Sequence, residues 1–272
     1  MRRNLSVFNL VSLVLGFSFL YAPLVILITY SFNASKLVAV WGGFSFKWYG
    51  VLFQDDQMLS AAWITLQVAV MSATLGTILG TMTALVLVRI RRFPGRTLFT
   101  GMTFAPLVMP DVIIGLSLLL LFIALGIERG VMTVVLAHTT FLMCYVSVVV
   151  TARLKSFDQA LEEAALDLGC TPLSAFRLVT LPIIAPAIIS GWLLAFTLSL
   201  DDLVIASFTT GPASTTLPIK IYSSIRLGVS PEINALSTIL LAIVATGVIG
   251  ASVMSRQAIR RRRRDETLAS GD

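Results

Sequence analysis

The sequence of 272 residues predicts an all-α membrane protein with six transmembrane helices. Hydrophobic residues make up 57% of the chain and charged residues only 12%, against roughly 25% charged residues in an average soluble domain. Six long stretches carry almost no charge, and each can hold the ~20 apolar residues that cross a bilayer core. We therefore expect one transmembrane domain over residues 1–272, with spans near 8–30, 62–88, 98–125, 131–152, 183–208 and 234–255.

The first apolar stretch has an alternative interpretation as a secretory signal, because Arg2 and Arg3 precede it. Its apolar run is longer than the core of a typical signal peptide. The continuation "YAPLVILITYSF" also contains no convincing small-residue cleavage site. We therefore expect this stretch to remain in the protein as the first span.

The distribution of Lys and Arg predicts the orientation of the spans. Two lie at the N-terminus, 4 in the loop 88–97, 3 in the loop 153–182 and 6 at the C-terminus, against 5 on the opposite side. Under the positive-inside rule, both termini lie in the cytoplasm. The C-terminal "RQAIRRRRR" is then a topology anchor on anionic lipid, and no nucleic-acid partner is needed to explain the net charge of +6.

The loop 153–182 is polar and has a helical pattern. In "SFDQALEEAALDLG", Ser156 or Asp158 is the candidate N-cap and Gly169 the stop signal of a first helix. In "TPLSAFRLVTLP", Thr171 is the candidate cap of a second short helix, with Pro172 at its first position. We expect a helix–turn–helix that lies along the membrane surface.

This loop also resembles the EAA loop of bacterial ABC-importer permeases. The segment "EAALDLGCTPLSAFRLVTLP" has E-A-A, three residues, G, nine residues and then x-x-L-P, with Val179 where isoleucine is usual. The E-A-A triplet alone would fit an ordinary surface helix, but the full spacing within this loop favours a coupling helix. The resemblance implies docking to a cytoplasmic ATPase subunit through Glu163, Ala164, Ala165, Gly169, Leu181 and Pro182.

A longer resemblance links the chain to the second permease subunit of putrescine/spermidine importers. It rests on "APLVILITYSFNASK", "PLVMPDVIIGLSLLLLF", "SLDDLVIASF" and "SPEINAL". The resemblance implies the type I ABC-importer permease fold and a location in the bacterial inner membrane. The implied partners are a second homologous permease, an ATPase dimer, a periplasmic polyamine-binding protein and the polyamine itself.

The chain has no ATP-binding motif of its own, because G-x-x-x-x-G-K-[ST] does not occur in it. The resemblance implies that ATP and Mg are bound by the partner ATPase. We therefore expect a transport subunit that is not an enzyme and that holds no cofactor or metal.

Three aspartates, Asp111, Asp201 and Asp202, fall within predicted spans. An ionised carboxylate in a bilayer costs several kcal/mol unless a positive or polar group meets it, and no Lys or Arg lies in any predicted span. The remaining partners are a substrate, the other permease or a helix N-terminus. On straight helices, Asp111 lies roughly 21 Å and Asp201 roughly 27 Å from the cytoplasmic side, in the outer half of the membrane.

Helical geometry separates the two adjacent aspartates, because neighbouring positions point ~100° apart. Asp201 shares a polar stripe with Ser190 and Thr197, so we expect it to face the transport pathway. Asp202 shares a face with small and apolar residues, which favours a bond to a backbone amide or a neighbouring chain. It is therefore the weakest of the candidate substrate-binding residues.

A polyamine is a chain of ammonium groups separated by methylenes, so its site needs separated anionic groups with apolar or aromatic walls. Asp111 and Asp201 would supply charge, and Trp48 could supply a cation–π face, with Trp41 in reserve.

Five other residues have structural interpretations. His138 is predicted to bond a neighbouring helix, Gly76 and Gly80 to allow close helix packing, and Pro106 and Pro110 to kink the third span.

Three alternatives to a polyamine permease remain. An ABC permease for another small cationic or organic solute would share every feature above. An ion-coupled secondary transporter would normally show an internal repeat and broken helices, and would not need an ATPase-docking loop. An intramembrane aspartyl protease would need a G-x-G-D type setting, which neither "MPDV" nor "SLDD" provides.

Overall fold

The computed structural model describes residues 7–37, 40–90, 92–227 and 231–246, which are helical apart from connecting loops and one isolated β-bridge between Asn33 and Phe44. The helices are α1 (Val7–Ser31), α2 (Lys47–Leu52), α3 (Asp56–Arg89), α4 (Arg96–Val108), α5 (Asp111–Ala124), α6 (Val131–Lys155), α7 (Ala160–Asp167), α8 (Pro172–Ala175), α9 (Leu181–Asp201), α10 (Val204–Thr209), α11 (Leu217–Leu227) and α12 (Pro231–Thr246). A π-helical turn, Phe176–Thr180, joins α8 to α9.

Four helical segments within the described ranges are long and apolar enough to cross a membrane: α1, α3, α6 and the run Pro172–Asp201. The pair α4 and α5 makes a fifth if it counts as one broken span. The shorter apolar helix α12 coincides with the start of the predicted sixth span. The end of that span, Arg2, Arg3 and the arginine-rich tail lie outside the described residues.

The described residues divide into two compact units, those within 1–56 and 224–272 and those within 57–223. The expectation of a single domain over the whole chain stays a prediction. In the first unit, the loop after α1 and the start of α2 form an aromatic cluster with ring centroids 5.2–6.0 Å apart. Its members are Phe32, Phe44, Phe46 and Tyr49. The apolar stretch of α1 has none of its residues buried.

The second unit is built around α6. Two-thirds of its apolar window is buried (67%), as expected for a helix that is apolar on all sides. Residues from α3, α5, α9 and α10 pack with it into one core. The buried members are Ala73, Ala84, Ile114, Ala137, Phe141, Leu142, Val146, Val150, Leu154, Ile184, Ala195 and Ile205.

Two glycines bring the backbones of α3 and α6 close together, as predicted. A Cβ atom added to Gly76 would lie 3.1 Å from Leu142 Cβ. One added to Gly80 would lie 2.6 Å from the carbonyl oxygen of Met143 and 2.8 Å from Val146 Cβ. Small residues at such contacts increase the dispersion energy between membrane helices, where lipid tails leave little hydrophobic driving force.

The predicted third span is broken, and its two halves, α4 and α5, meet at 118°. Met109 has extended backbone (ψ 141°) and Pro110 precedes the first residue of α5. A proline pushes the preceding residue out of the helical region, so the predicted kink at Pro110 is confirmed. Pro106 lies inside α4, and the helix continues past it to Val108. The straight-helix estimate of the depth of Asp111 is wrong, because the chain changes direction just before it.

The predicted fifth span, 183–208, is wrong at both ends. Its helical run begins at Pro172, so the second short helix of the inner loop is the start of the span and not a separate surface helix. At the other end, α9 stops at Asp201, Asp202 is extended (ψ 120°) and α10 begins at Val204. The cause is local, because the Asp202 side chain bonds backbone amides of α10 and so starts a new helix.

Candidate functional site

Asp201 is the last residue of α9, and its side chain is exposed. Within the described part of the chain, its carboxylate makes no hydrogen bond or ion pair with another side chain. The C-terminal end of a helix carries partial negative charge from its unpaired carbonyls. A carboxylate at that end therefore adds to the negative potential, and the position attracts cations.

The polar stripe that leads to Asp201 is present on α9. Ser190 and Thr197 are exposed like Asp201, and their hydroxyls donate to carbonyls of the same helix, at 2.8 Å to Pro186 and 2.9 Å to Leu194. Because these hydroxyls are satisfied internally, the carboxylate is the group on this stripe that still lacks a side-chain partner among the described residues.

Asp202, in contrast, has partners inside the bundle. Its carboxylate accepts hydrogen bonds from the backbone amides of Ala206, at 2.8 Å, and Ile205, at 3.4 Å. His138 Nε2 lies 3.1 Å from Asp202 Oδ2, and His138 Nδ1 shares a hydrogen bond of 2.7 Å with Ser199 Oγ. The neighbours of this carboxylate inside the bundle are thus the first amides of α10 and the His138 ring.

Asp111 is the first residue of α5, and its side chain is exposed. The N-terminal end of a helix favours a carboxylate, and Asp111 occupies that position in α5. No hydrogen bond or ion pair joins its carboxylate to another side chain in the ranges described.

The two broken spans pack against each other close to their acidic residues. A Cβ atom added to Gly115 of α5 would lie 2.6 Å from the Phe208 side chain and 3.3 Å from Ile205 Cα, both on α10. Gly115 is one turn, roughly 6 Å, after Asp111, and Ile205 is three residues after Asp202. The structure therefore brings the Asp111 and Asp201–Asp202 breaks into one region.

Trp48 is buried, with 4% of its surface exposed. Its indole N–H donates to the carbonyl of Asn33 at 2.7 Å, and Lys47 Nζ lies 5.2 Å from its ring centroid. The cation–π partner observed for Trp48 is thus a lysine of the same chain. Trp41, the reserve candidate, is exposed and meets Tyr30 edge-on with ring centroids 6.0 Å apart.

The inner loop contains the predicted first helix, α7, and none of its residues is buried. The N-cap position of α7 is Gln159, so neither predicted N-cap is correct. Asp158 Oδ1 accepts from the Ala160 amide at 3.0 Å in a turn just before the helix, and the Ser156 hydroxyl bonds back to α6. Gly169 ends it with a left-handed φ of +89° and a bond from the next amide to the Ala165 carbonyl, as in a Schellman motif. The predicted stop is confirmed.

The rest of the predicted coupling loop follows directly. Thr171 Oγ1 accepts from the Ser174 amide at 3.3 Å, which confirms the predicted cap, and Pro172 begins α8. Leu181 and Pro182 are the first residues of α9 and are exposed. Glu163 and Ala164 are exposed and Ala165 is half-buried.

Several leucines of the loop are also exposed, which is unusual for a surface outside the apolar spans. They are Leu161 (50%), Leu166 (39%) and Leu168 (87%).

One contact in this region was not predicted. Arg89 at the end of α3 makes a two-pronged contact with Glu162 of α7, with Nη1–Oε1 at 2.8 Å and Nη2–Oε2 at 2.5 Å. The Thr180 hydroxyl donates to Glu162 Oε2 at 2.5 Å and accepts from Arg89 at 3.2 Å. Burial tends to raise the pKa of Glu162, but these hydrogen bonds and the Arg89 charge hold that pKa below its ordinary value.

No three His, Cys, Asp or Glu side chains come together to hold a metal ion in the described ranges. The geometry of the second unit instead combines exposed carboxylates at two helix breaks with an exposed apolar loop. Neither feature is a covalent catalyst.

Comparison with known proteins identifies the family. Residues 76–265 match the family described as "Binding-protein-dependent transport system inner membrane component". The chain is 58% identical over 251 residues to the putrescine transport system permease protein PotI of Escherichia coli (strain K12), across 90% of this chain and 89% of that protein. It is 45% identical over 240 residues to the spermidine/putrescine transport system permease protein PotC of the same organism, across 88% and 90%.

The fold also matches a solved structure. A chain of a bacterial ABC transporter involved in the import of the acidic polysaccharide alginate superposes with a TM-score of 0.69 at 16% identity, covering 94% of this chain and 98% of that chain. The predicted resemblance and the predicted permease fold are confirmed. This protein is therefore a multi-pass inner-membrane transport subunit, and it belongs to the binding-protein-dependent transport system inner membrane component family.

Proposed function

We propose that this chain is a permease subunit of an ATP-driven importer that moves polyamines, putrescine or spermidine, from the periplasm to the cytoplasm. The substrate class is supported by the two relatives described above, which are putrescine and spermidine/putrescine permeases. In this proposal the chain does not hydrolyse ATP, and ATP with Mg is bound by a partner ATPase dimer.

The observation that carries the proposal is the position of Asp201. Its exposed carboxylate stands at the negative end of α9, without a side-chain partner in the described part of the chain. An ammonium group is a compact cation that such a position would bind. An anionic substrate would be repelled by this carboxylate, and a neutral substrate would leave its charge uncompensated.

Asp111 supplies the second anionic group in this proposal. Its exposed carboxylate lies at the break whose following helix, α5, packs on α10. A polyamine carries ammonium groups at separated points, so two carboxylates on neighbouring broken helices suit it better than one cluster would. Asp202 and Trp48 would have to leave His138 and Asn33, respectively, to contact the substrate, so we assign the direct contacts to Asp111 and Asp201.

The ATPase partner is proposed to dock on α7 and the turn that follows it. This surface combines Glu163, small alanines and exposed leucines, which a protein partner would cover. Gly169 allows the chain to reverse sharply beneath the docked partner. With the loop on the cytoplasmic side, both termini are cytoplasmic, and a periplasmic polyamine-binding protein and a second homologous permease complete the importer.

An ion-coupled transporter is the alternative with a specific observation in its favour, because broken helices with acidic ends occur in such proteins. It would have no use for the exposed surface of α7. A permease for another small cation differs from our proposal only in its substrate.

Uptake by the complete importer distinguishes these possibilities. The chain is co-expressed with an ATPase subunit, a second permease and a binding protein and reconstituted into vesicles, and uptake of radiolabelled putrescine is measured with and without ATP. We expect uptake that requires ATP and that unlabelled putrescine or spermidine inhibits, whereas neutral amino acids do not. Uptake driven by an ion gradient alone, or inhibition only by a guanidino compound, would contradict the proposal.

A further inference from the structure

The contact among Arg89, Glu162 and Thr180, here called the clamp, joins three separate elements. Arg89 ends α3, Glu162 lies in α7, and Thr180 ends the π-helical turn that leads into α9. Each pair among the three side chains is bonded, at distances between 2.5 and 3.2 Å.

The clamp is well placed to hold a fixed geometry. The Thr180 side chain is fully buried, and the exposed fractions of the Glu162 and Arg89 side chains are 16% and 36%. The Arg89 guanidinium also lies over the Phe176 ring at 5.6 Å from its centroid. A two-pronged Arg–carboxylate contact restrains orientation as well as distance, which a single-point contact does not.

The two adjacent glutamates of α7 therefore have different surroundings. Glu162 points to the clamp, whereas Glu163 is exposed and has no partner among the residues that the structure describes. Neighbouring positions on a helix point ~100° apart. One side of α7 can therefore bind a partner protein while the other side contacts α3 and the turn that leads into α9.

A cavity adjoins this joint. A cavity of about 270 Å³ lies beside the clamp, between α7 and the ends of α3 and α6. Val88, Leu154, Phe157 and Leu166 line it together with Arg89 and Glu162. At the edge of this cavity, α3 and α7 meet through the Arg89–Glu162 contact.

The clamp also lies at the start of the helix that carries Asp201. From Thr180, α9 continues for 21 residues, roughly 31 Å at 1.5 Å per residue, and ends at Asp201. The geometry points to a positioning role for the clamp: it fixes the coupling helix to α3 and α9, so that movement of α7 on the ATPase reaches the carboxylate of Asp201. This inference rests on the proposed function.

The test measures coupling rather than transport alone. Complete importers containing Arg89→Gln, Glu162→Gln or the exchanged pair Arg89→Glu with Glu162→Arg are reconstituted, and the putrescine imported per ATP hydrolysed is compared with wild type. In the single variants we expect the ATPase subunit to co-purify at the wild-type level, ATP hydrolysis to persist and the ratio to fall on the order of tenfold, the typical effect of losing a charge-assisted contact. The exchanged pair should recover much of the ratio.

Two further variants serve as controls. Arg92→Gln removes the same charge three residues after Arg89, but Arg92 is exposed and has no partner in the described residues, so its ratio should match wild type. Arg89→Lys keeps the positive charge but cannot contact both carboxylate oxygens of Glu162 as a guanidinium does. It should therefore give an intermediate ratio of putrescine imported per ATP hydrolysed.

Wild-type ratios in both single glutamine variants, or an exchanged pair no better than either, would overturn the positioning role. Loss of the ATPase subunit from the Glu162→Gln complex would also overturn it, by assigning Glu162 to docking. A wild-type complex that imports no polyamine would instead contradict the proposed function.

Discussion

His138 of α6 and Asp202, at the break between α9 and α10, meet inside the bundle with Nε2 and Oδ2 3.1 Å apart. This approach is not an aligned hydrogen bond, because His138 Nε2 has no hydrogen-bond partner among the described residues. Its other nitrogen is held by Ser199 Oγ at 2.7 Å. With 1% of the His138 and 9% of the Asp202 side chain exposed, these groups meet away from water.

The same substitution at the two adjacent aspartates should have different effects on the stability of the subunit. Asp202→Asn replaces one carboxylate oxygen by an amide donor, which then faces either a backbone N–H or His138. We expect it to lower the stability of the subunit by about 1–3 kcal/mol, the usual cost of an unsatisfied buried group. Asp201→Asn should leave stability unchanged. The measurement is the thermal midpoint of the purified permease together with the yield of assembled complex.

A stable, fully assembled Asp202→Asn complex with a transport defect, beside normal transport by Asp201→Asn, would show that Asp202 is the residue facing the pathway.

The close approach of α3 to α6 makes Gly80 intolerant of a side chain. Its added Cβ would come within 2.6 Å of the backbone oxygen of Met143, so the helices must move apart. Overpacking of this kind typically costs about 1–3 kcal/mol, and we expect Gly80→Ala to lower the thermal midpoint of the subunit. Gly101→Ala is the matched control, because Gly101 lies within α4 and nothing lies within 4 Å of its added Cβ.

Equal midpoints for Gly80→Ala and Gly101→Ala would contradict the helix contact.

The approximate positions of the long apolar helices could be predicted from the sequence because charge is excluded from a bilayer core over ~20 residues. The same rule could not locate the break after Asp201, since "LSLDDLVIASF" continues as an apolar run. What ends α9 is the competition of the Asp202 carboxylate for the amides of α10. An Asp before a new helical run is a cap signal, but the apolar pattern around it concealed the signal.

Turn chemistry predicted the inner loop well, because Gly169 and Thr171 act through neighbours in sequence. The contact between Arg89 and Glu162 could not be predicted in this way. These residues are 73 positions apart, and only the packing of α3, α7 and the π-helical turn brings them together. Trp48 was a candidate from its position before α3, and sequence gave no sign of its bond to Asn33.

The docking surface should be needed for transport and dispensable for folding. Glu163→Lys reverses the exposed charge on α7, and Gly169→Asp adds a charged side chain at a left-handed position (φ +89°), where non-glycine residues cost roughly 1–2 kcal/mol. We expect normal membrane insertion, weaker co-purification of the ATPase subunit and loss of uptake in both. Full recovery of the complex with normal uptake would contradict the docking assignment.

The clamp should lose its contribution to stability in acid. The pKa of Glu162 is lower in the folded protein than its ordinary value. The stabilisation is therefore complete above that ordinary value and disappears as the pH falls through the lowered one. We expect the difference in thermal midpoint between wild type and Glu162→Gln to be constant near neutral pH and to vanish in acid.

The control for this titration is Glu163→Gln, which removes the neighbouring exposed carboxylate, one without a partner among the described residues. A Glu162→Gln difference that widens as the pH falls would contradict the direction of the shift.

The central claim, that Asp111 and Asp201 bind the polyamine, is tested most directly by uptake in cells with matched levels of assembled complex. Asp111→Asn, Asp201→Asn and the double variant are compared with wild type for radiolabelled putrescine and spermidine. Each single variant loses one charge-assisted contact, typically ~1.5–3 kcal/mol, so maximal uptake should fall on the order of tenfold to a hundredfold. The double variant should lose less than the sum if both residues hold one molecule. Wild-type uptake by both single variants would contradict the claim.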